Sequence, residues 1–504
     1  MTDLLMPRTS VITTLNANVP AARATQPFLD RARSAGRALT GANALTAGAP
    51  DPSEERARHA TIAAVIPCYN EQDTIEAVLT SLLAQTRMPD VIHVIVNNTD
   101  DDTIEIANRY LGFHRRIVKG VEFRTSVHVH DMGVNPDKKV GALNYGYRLA
   151  RGHDFILGVD GDTTLDRQAV EFLEMEMVDD PRIGGLSAIY TIDHDPADGP
   201  MTKFLLAGQR AQFAGFNMDN LLHGRNMAVL GGQCSLFSVL ALEAVMRRYH
   251  QNTPWVRDSE VEDSLLSLQI KKVGFATKIS SRARASVGGM PNLRALHSQQ
   301  VKWNYGGIDL MWPGQRGNTK GQPLHPNLRL RWFENIAMIM NVTTRLAFLL
   351  LLAASLDLHA FVFNPIWLIP PAVAGLLNLR LTLAMHTKRP IDIAYAILLL
   401  PAECYMWIRM GHFTAAWVQF FARVDKDNWA AQANAEKGRG SSHLWPAIIA
   451  ATLFTVLIYA WTTQPINIQS AILSLGWPAL YLITILQTLF MLKKITRRHR
   501  SFTV

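Results

Sequence analysis

The sequence predicts an α/β domain built on a largely parallel sheet, followed by a helical region embedded in a membrane. Three observations carry this. Apolar β-branched segments alternate with segments of helical periodicity between residues 61 and 166. After residue 330 come apolar runs close to the ~20 residues needed to cross a bilayer. The stretch ILGVDGDTTLD, 156–166, runs from a strand-like segment into two aspartates one residue apart. In doubly wound sheets, ligands bind at such strand ends.

In order along the chain, residues 1–60 are rich in Ala, Thr, Arg and Gly and almost free of aromatics, the composition of a largely disordered segment. TIAAVIPCYN (61–70) is a short apolar strand ending at Pro67. EQDTIEAVLTSLLAQ places Ile75, Val78, Leu79, Leu82 and Leu83 on one helical face. VIHVIVNN (91–98) is a second strand. DDTIEIANRYL is a second helix, with Asp100, Asp101 and Asp102 at its positive end. KKVGALNYGYRLA is a third helix and DFILGVD a buried strand. This alternation implies a doubly wound, mainly parallel sheet, so Asn97 and Asp160 fall at strand ends that face a crevice.

The chain carries 50 Lys and Arg against 42 Asp and Glu, a net +8. That excess is spread over 504 residues and gathers near the apolar runs. It suits a membrane surface or a phosphorylated ligand, and no nucleic-acid partner is expected. Cys68, Cys234 and Cys404 are scattered without a CxxC pair, which argues against a disulfide framework or zinc site and for a reducing compartment. Residues 1–20 lack the basic start and apolar run of a signal peptide.

The apolar runs are 334–356, 366–386, 444–462 and 470–491. Arg345 interrupts the first and Arg380 lies near the end of the second. Residues 391–422 are ambiguous. They carry Glu403 and Arg409, then set Phe413, Trp417, Phe420 and Phe421 on one helical face, as in a helix lying in the interface or the end of a fifth span. Two basic stretches, 423–443 and KKITRRHR (493–500), should both be cytoplasmic. Four spans with an in-plane or re-entrant segment satisfy both. The expected domains are therefore 61–330, a membrane region 331–492 and a basic cytoplasmic tail 493–504. Thr343, Thr344 and Arg345 are expected either to line the mouth of a polar passage or, for Arg345, to snorkel to headgroups.

Two carboxylates as close as Asp160 and Asp162 raise each other's pKa unless something positive sits between them. A calcium loop would use Asp160, Asp162 and Glu171 at positions one, three and twelve, but Leu165 stands at position six, where that loop needs glycine. A solvated acidic turn is a second reading. A third is a divalent cation, Mg²⁺ or Mn²⁺, shared with a substrate diphosphate. PWVRDSEVEDSLLSLQIKKVGF places Glu262 and Asp263 at the start of an amphipathic helix, where they complement its dipole or act chemically. HSQQVKWNYGG supplies Gln299, Gln300, Lys302 and Trp303, either as an interfacial anchor or as part of a site.

Taken together, VIPCYNE, VIVNNTDDDT, KKVGALN, VDGD, VED and QQVKW, in this order, resemble the membrane-bound family 2 glycosyltransferases, the group of the cellulose, chitin and hyaluronan synthases. The resemblance spans roughly residues 61–310 in motifs and the membrane region in architecture. It implies a GT-A type, Rossmann-like fold, a nucleotide-sugar donor with UDP expected, and inversion at the anomeric carbon. Carried over by residue, Pro67, Tyr69, Glu71 and Asn97 would border the base and Lys139 would approach the nucleotide. Asp160 and Asp162 would hold the metal and diphosphate. Asp263, with Glu262 beside it, would be the general base. Gln299 and Lys302 would close over the donor, and Trp303 would stack on the acceptor. The chain departs from the family at Val96 and Asn97, where aspartates are frequent, at VED for TED, and at Lys302 for arginine, which loses a bidentate fork but keeps the charge. The two membrane helices that often precede the domain in polymer synthases are missing from residues 1–60. The expected activity is addition of sugars to a growing β-linked glycan at the plasma membrane, from a cytoplasmic catalytic domain. The alternatives are single transfer to a lipid or protein acceptor, and a catalytically silent membrane scaffold that binds nucleotide sugar.

Overall fold

The computed structural model describes residues 60–118, 120–193, 199–257, 262–312, 329–422 and 442–499, with the short stretches 431–432, 434–435, 438–440 and 501–504. The expectations for residues 1–59 and for most of the basic stretch 423–443 lie outside the described residues.

The chain opens with β1 (Ile62–Cys68), α1 (Ile75–Leu83), β2 (Val91–Val96), α2 (Thr103–Asn108), β3 (Gly112–Val118), β4 (Val121–Asp131), α3 (Lys138–Ala150) and β5 (Phe155–Val159). It continues through β6 (Thr164–Leu165), α4 (Ala169–Asp179), β7 (Ile183–Thr191), α5 (Pro200–Leu222), β8 (Cys234–Ser238), α6 (Val239–Tyr249), α7 (Glu262–Lys272), β9 (Ala276–Ser286) and α8 (Leu293–Met311). Among the described residues these strands form one nine-stranded sheet in the order β3-β4-β2-β1-β5-β8-β7-β9-β6.

β1 lies between β2 and β5, so both its faces are covered and its apolar run is continuous. Alternate residues serve opposite cores. Ile62, Ala64 and Ile66 pack with Leu79 of α1 and Leu173 of α4. Ala63 and Val65 pack with Val140 and Tyr147 of α3 and Leu242 of α6. The helix α3 approaches the sheet closely at Gly146, where an added Cβ would come within 2.2 Å of Val65.

The sheet is mixed, where a mainly parallel one was expected. β4, β2, β1 and β5 run parallel, but β3 pairs antiparallel with β4, β8 with both β5 and β7, and β6 with β9. Strand direction is set by the path of each connection across the domain, and apolar periodicity carries no record of that path. The helix α7 also differs from the amphipathic expectation. Apart from Asp263, its first nine residues, Glu262 through Ile270, are all buried.

The C-terminal part contains α9 (Arg329–Asp357), α10 (Ile369–Leu383), α11 (Pro390–Ile397), α12 (Leu399–Phe421), α13 (Trp445–Thr462) and α14 (Ile466–Thr496). Four segments, Arg331–Asp357, Pro365–Leu383, Trp445–Thr462 and Ile466–Thr496, are long and apolar enough to cross a membrane, and α11 and α12 form a pair bent by 86°. Pro401 is one cause of the bend, because it has no N–H to offer the Ile397 carbonyl one turn earlier.

Arg345 is engaged by the neighbouring helix. Its guanidinium forks onto Glu403 of α12, with Nη2 2.8 Å from Oε2, and Nη1 donates to Asn341 Oδ1 at 2.8 Å. Thr344 bonds back to the Met340 carbonyl. A charge that would be costly in lipid is thus neutralised within the helix bundle.

The membrane region is fastened to the α/β domain at several points. The fully buried Arg210 of α5 forks onto Asp392 of α11, with Nη2 3.0 Å from Oδ2. Lys494 at the end of α14 reaches Asp219 of α5 at 3.0 Å. Arg284 of β9 donates to the Thr503 carbonyl at 3.0 Å, and the Val504 N–H donates to the Ala384 carbonyl at 2.9 Å.

Candidate active site

The rim of the site is made where β1, β2 and β5 end. Pro67 pairs with Ile95 one residue before both strands stop. Past the strand ends, Asn70 and Asn98 take left-handed φ angles of 55° and 54°, and Lys138 takes 49° at the start of α3. Such conformations are uncommon for residues with a Cβ and gather at functional turns. Asn97 is buried. Its amide nitrogen donates to the Cys68 carbonyl at 3.0 Å and its oxygen accepts from Asn98 at 3.1 Å and Asn135 at 3.4 Å. These bonds knit the rim, so much of the side chain's polar capacity is already used. Tyr69 is exposed beside it. Glu71 accepts from the Thr74 hydroxyl at 2.7 Å and lies over Gly161, the glycine of DGD, where a Cβ would meet Glu71 Cγ at 2.7 Å. Glycine is required there by that close approach.

Asp160 follows directly on β5, and the positive group beside it is Lys139 of α3, with Nζ 2.6 Å from Oδ1. Burial opposes the Lys139 charge, but the carboxylates of Asp160, Asp263 and Glu262 outweigh it and hold the ammonium well above its usual pKa. Among the described residues, no Lys or Arg is in contact with Asp162, and Lys139 acts on it from beyond contact. Burial, and then Asp160, push its carboxyl up to about 6. Its Oδ1 accepts from the Thr163 hydroxyl at 3.1 Å. The calcium-loop reading fails here. Leu165 lies in β6, and Glu171 turns to the Thr86 hydroxyl at 2.6 Å.

Two glycines that the sequence analysis passed over shape this site. A Cβ at Gly232 would stand 2.7 Å from Lys139 Nζ and 3.0 Å from Asp160 Oδ1, and one at Gly288 would stand 3.0 Å from Asp162 Oδ2. Their signal was the doubled glycine in LGGQC and VGGM. The Gly232 backbone also acts on the Asp263 carboxyl, opposing its rise. One backbone segment therefore lies against the Lys139–Asp160 pair and within electrostatic reach of the VED helix. Asp263 is half-buried, and burial followed by Glu262 pushes its carboxyl up to about 8. Burial likewise raises buried Glu262, against the opposing pull of Lys139 and Lys302.

The helix α8 carries QQVKW. Asn292 caps it by accepting from the Ala295 N–H at 2.9 Å. Lys302 is buried and acts electrostatically on Glu262, which brings this motif to the acidic cluster. Gln299 is half-buried, and Gln300 is buried with its oxygen accepting from Gln212 at 3.2 Å. Trp303 is half-buried and packs toward Phe213 of α5, with ring centroids 6.5 Å apart.

The arrangement can bind an anion against Lys139 and Lys302, and it can keep one carboxyl, Asp263, poised to take up a proton. Among the described residues, the carboxyl groups of Asp160, Asp162, Glu262 and Asp263 gather around the ammonium groups of Lys139 and Lys302. Among the described residues, no three His, Cys, Asp or Glu side chains are grouped to hold a metal by themselves.

Residues 63–246 match the model of glycosyl transferase family 2, and residues 155–408 match that of glycosyl transferase family group 2. The chain is similar to a poly-beta-1,6-N-acetyl-D-glucosamine synthase of Staphylococcus epidermidis, with 24% identity over 303 residues, covering 59% of this chain and 66% of the relative. It is similar to the protein of that name in Staphylococcus aureus (strain MSSA476), with 25% identity over 291 residues, covering 56% and 63%. The match thus spans a little under two thirds of those relatives. Among solved structures, the mannosyltransferase PcManGT of Pyrobaculum calidifontis, in complex with GDP-Man and Mn²⁺, aligns with 14% identity over 92% of this chain and 94% of its own, at a TM-score of 0.37. TarS 1–349 of S. aureus, in complex with UDP, aligns with 12% identity over 72% and 92%, at 0.33. The second family model covers half of the chain, from the strand that ends in DGD through the VED helix and QQVKW into the bent helix pair, and by that match the chain belongs to glycosyl transferase family 2.

Proposed function

We propose that this protein is an inverting glycosyltransferase that moves a sugar from a nucleoside-diphosphate donor onto a growing β-linked glycan at a membrane. One observation carries the reading. The Gly232 backbone lies against the Lys139–Asp160 pair, and Asp263 acts electrostatically on that same Lys139, so a proton acceptor and a diphosphate-binding group flank one space. Lys139 and Lys302 hold the negative charge that gathers on the leaving diphosphate. Asp263 takes the proton from the acceptor hydroxyl as it attacks the anomeric carbon. Glu262 keeps Asp263 in its protonatable range. Asn97, Pro67, Tyr69 and Glu71 form the wall toward the base, Gln299 closes over the donor, and Trp303 offers a ring face to the acceptor.

Asp162, with its carboxyl raised by burial, and Asp160 fit a divalent cation, Mg²⁺ or Mn²⁺, provided that diphosphate oxygens complete the ligand set. When bound, such an ion adds Lewis-acid stabilisation to the departing diphosphate. The relatives' names make N-acetylglucosamine the first sugar to try, on the uridine diphosphate carrier that the motif resemblance implies.

The test is incubation of the purified full chain with a panel of radiolabelled nucleotide sugars and Mn²⁺. A ladder of products from one donor is the expected result. A single product would replace polymerisation by single transfer. Binding without transfer from any donor would make the protein a silent scaffold.

The same reading places the domain in the cytoplasm. Lys494, Arg497 and Thr503 touch the α/β domain, which supports an even number of crossings, with α11 and α12 re-entrant or in plane. A reporter fused after Val504 is expected to read as cytoplasmic, and an external reading would restore five spans.

A further inference from the structure

The bent helix pair does more than interrupt the membrane region. Its second arm, α12, lies against α8, the helix that carries QQVKW. Val301 and Ile308 of α8 pack with Ala416 of α12, and the His297 and His412 rings meet with centroids 5.1 Å apart. Beside these apolar contacts runs a short chain of neutral hydrogen bonds. The Tyr405 hydroxyl of α12 donates to Gln212 Oε1 of α5 at 3.1 Å, and Gln212 Nε2 donates to Gln300 Oε1 of α8 at 3.2 Å. Gln300 adjoins Gln299 and stands two residues before Lys302.

The place for Tyr405 is built. Its side chain is buried, and the ring lies on the backbone of α5 at Gly208, where a Cβ would come within 2.3 Å of ring carbon Cδ2. Phe204 meets the ring edge-on, with centroids 6.3 Å apart. No other residue type combines that flat face with a hydroxyl at that reach, and a leucine or phenylalanine would satisfy the packing alone. The hydroxyl therefore has a role beyond filling space.

We infer that Tyr405 and Gln212 are positioning residues, which hold the QQVKW helix over the site through Gln300 so that the bent membrane helix sets how the acceptor is bound. This rests on the glycosyl-transfer reading above. The donor contacts at Asp160, Asp162 and Lys139 lie just past β5 and on α3, outside this chain of bonds, and only Gln299 and Lys302 of the donor set ride on α8, so the acceptor side should respond more strongly than the donor side.

The test uses the full chain in detergent, with Tyr405→Phe, which keeps the ring on Gly208 and removes only the hydroxyl, and Gln212→Leu, which removes both bonds. Three results are expected. Amide exchange in Leu293–Trp303 quickens while Tm stays near that of the unaltered protein. The KM for a β-1,6-linked N-acetylglucosamine oligosaccharide rises about five-fold, the size of one neutral hydrogen bond, with a smaller rise in donor KM. The double variant is no worse than Gln212→Leu, because the two groups act in one chain. Unchanged exchange and acceptor KM in Tyr405→Phe would overturn the inference, as would losses that multiply in the double variant or that fall more on donor KM than on acceptor KM. If the unaltered protein transfers no sugar, the glycosyl-transfer reading falls. The exchange arm still decides the positioning role, with faster α8 exchange supporting it and unchanged exchange ending it.

Discussion

Replacing Asp263 by asparagine is expected to lower turnover by ~10²-fold or more while nucleotide-sugar binding survives. Asparagine keeps the shape, so the Gly232 backbone that lies against Lys139 and Asp160 stays in place. What is lost is the site for the proton. The sign of the pH dependence follows from the same group. A base works only when deprotonated, and burial together with Glu262 pushes this carboxyl up to about 8. In the free protein, kcat/KM should therefore rise with pH and level off above about 8, well beyond the ordinary carboxylate range. The asparagine variant should lose that ascending limb. If donor affinity collapses while turnover per bound donor holds, Asp263 is a binding residue and the base lies elsewhere.

Replacing Asp162 by asparagine should cost roughly 10²- to 10³-fold, the equivalent of several kcal/mol of charge stabilisation at about 1.4 kcal/mol per decade. Among the described residues, the cation that acts on Asp162 is Lys139, from beyond contact. Lys139 sits on Asp160, and Gly288 leaves Asp162 Oδ2 open to the space where a Cβ would stand. Loss of this hard anionic ligand should weaken the ion, and EDTA should abolish the activity of the unaltered protein with recovery on added Mn²⁺. Because the carboxyl is raised to about 6, a cation binding there must displace a proton below that pH, so metal affinity should fall as pH drops. Full activity in EDTA, or a near-normal Asp162→Asn, would remove the metal from the mechanism.

Much of the N-terminal half was legible in the sequence. The third helix was read as Lys138–Ala150 and is found there, and the strands ending at Pro67 and Asp160 lie within a residue of their predicted limits. Periods of 2 and 3.6 are local, and a local pattern is enough to mark an element and its buried face. The DGD, VED and QQVKW motifs were legible for a related reason, since each is a few residues of unusual chemistry at the end of, or within, a recognisable element. The order of the spans and the ambiguity at 391–422 were also present, because length and apolar content suffice for those.

What the sequence could not contain is the choice among distant partners. Lys139 could have met any carboxylate, and only the packing of α3 beside β5 puts it 2.6 Å from Asp160. Arg345 reads as a snorkelling or channel-lining charge until folding brings Glu403, 58 residues away, into its fork. Arg210 finds Asp392 across 182 residues and Lys494 finds Asp219 across 275. Gly232 and Gly288 carry no chemistry in a sequence, because their function is the space they leave for Asp160, Lys139 and Asp162. The chain by itself determined which residues are strand, helix or bilayer-length run and which carry charge into a crevice. Strand direction, the pairing of those charges and the seating of the membrane helices on the α/β domain were decided only in three dimensions, where burial makes an unpaired charge costly and leaves each one a narrow choice of neighbour.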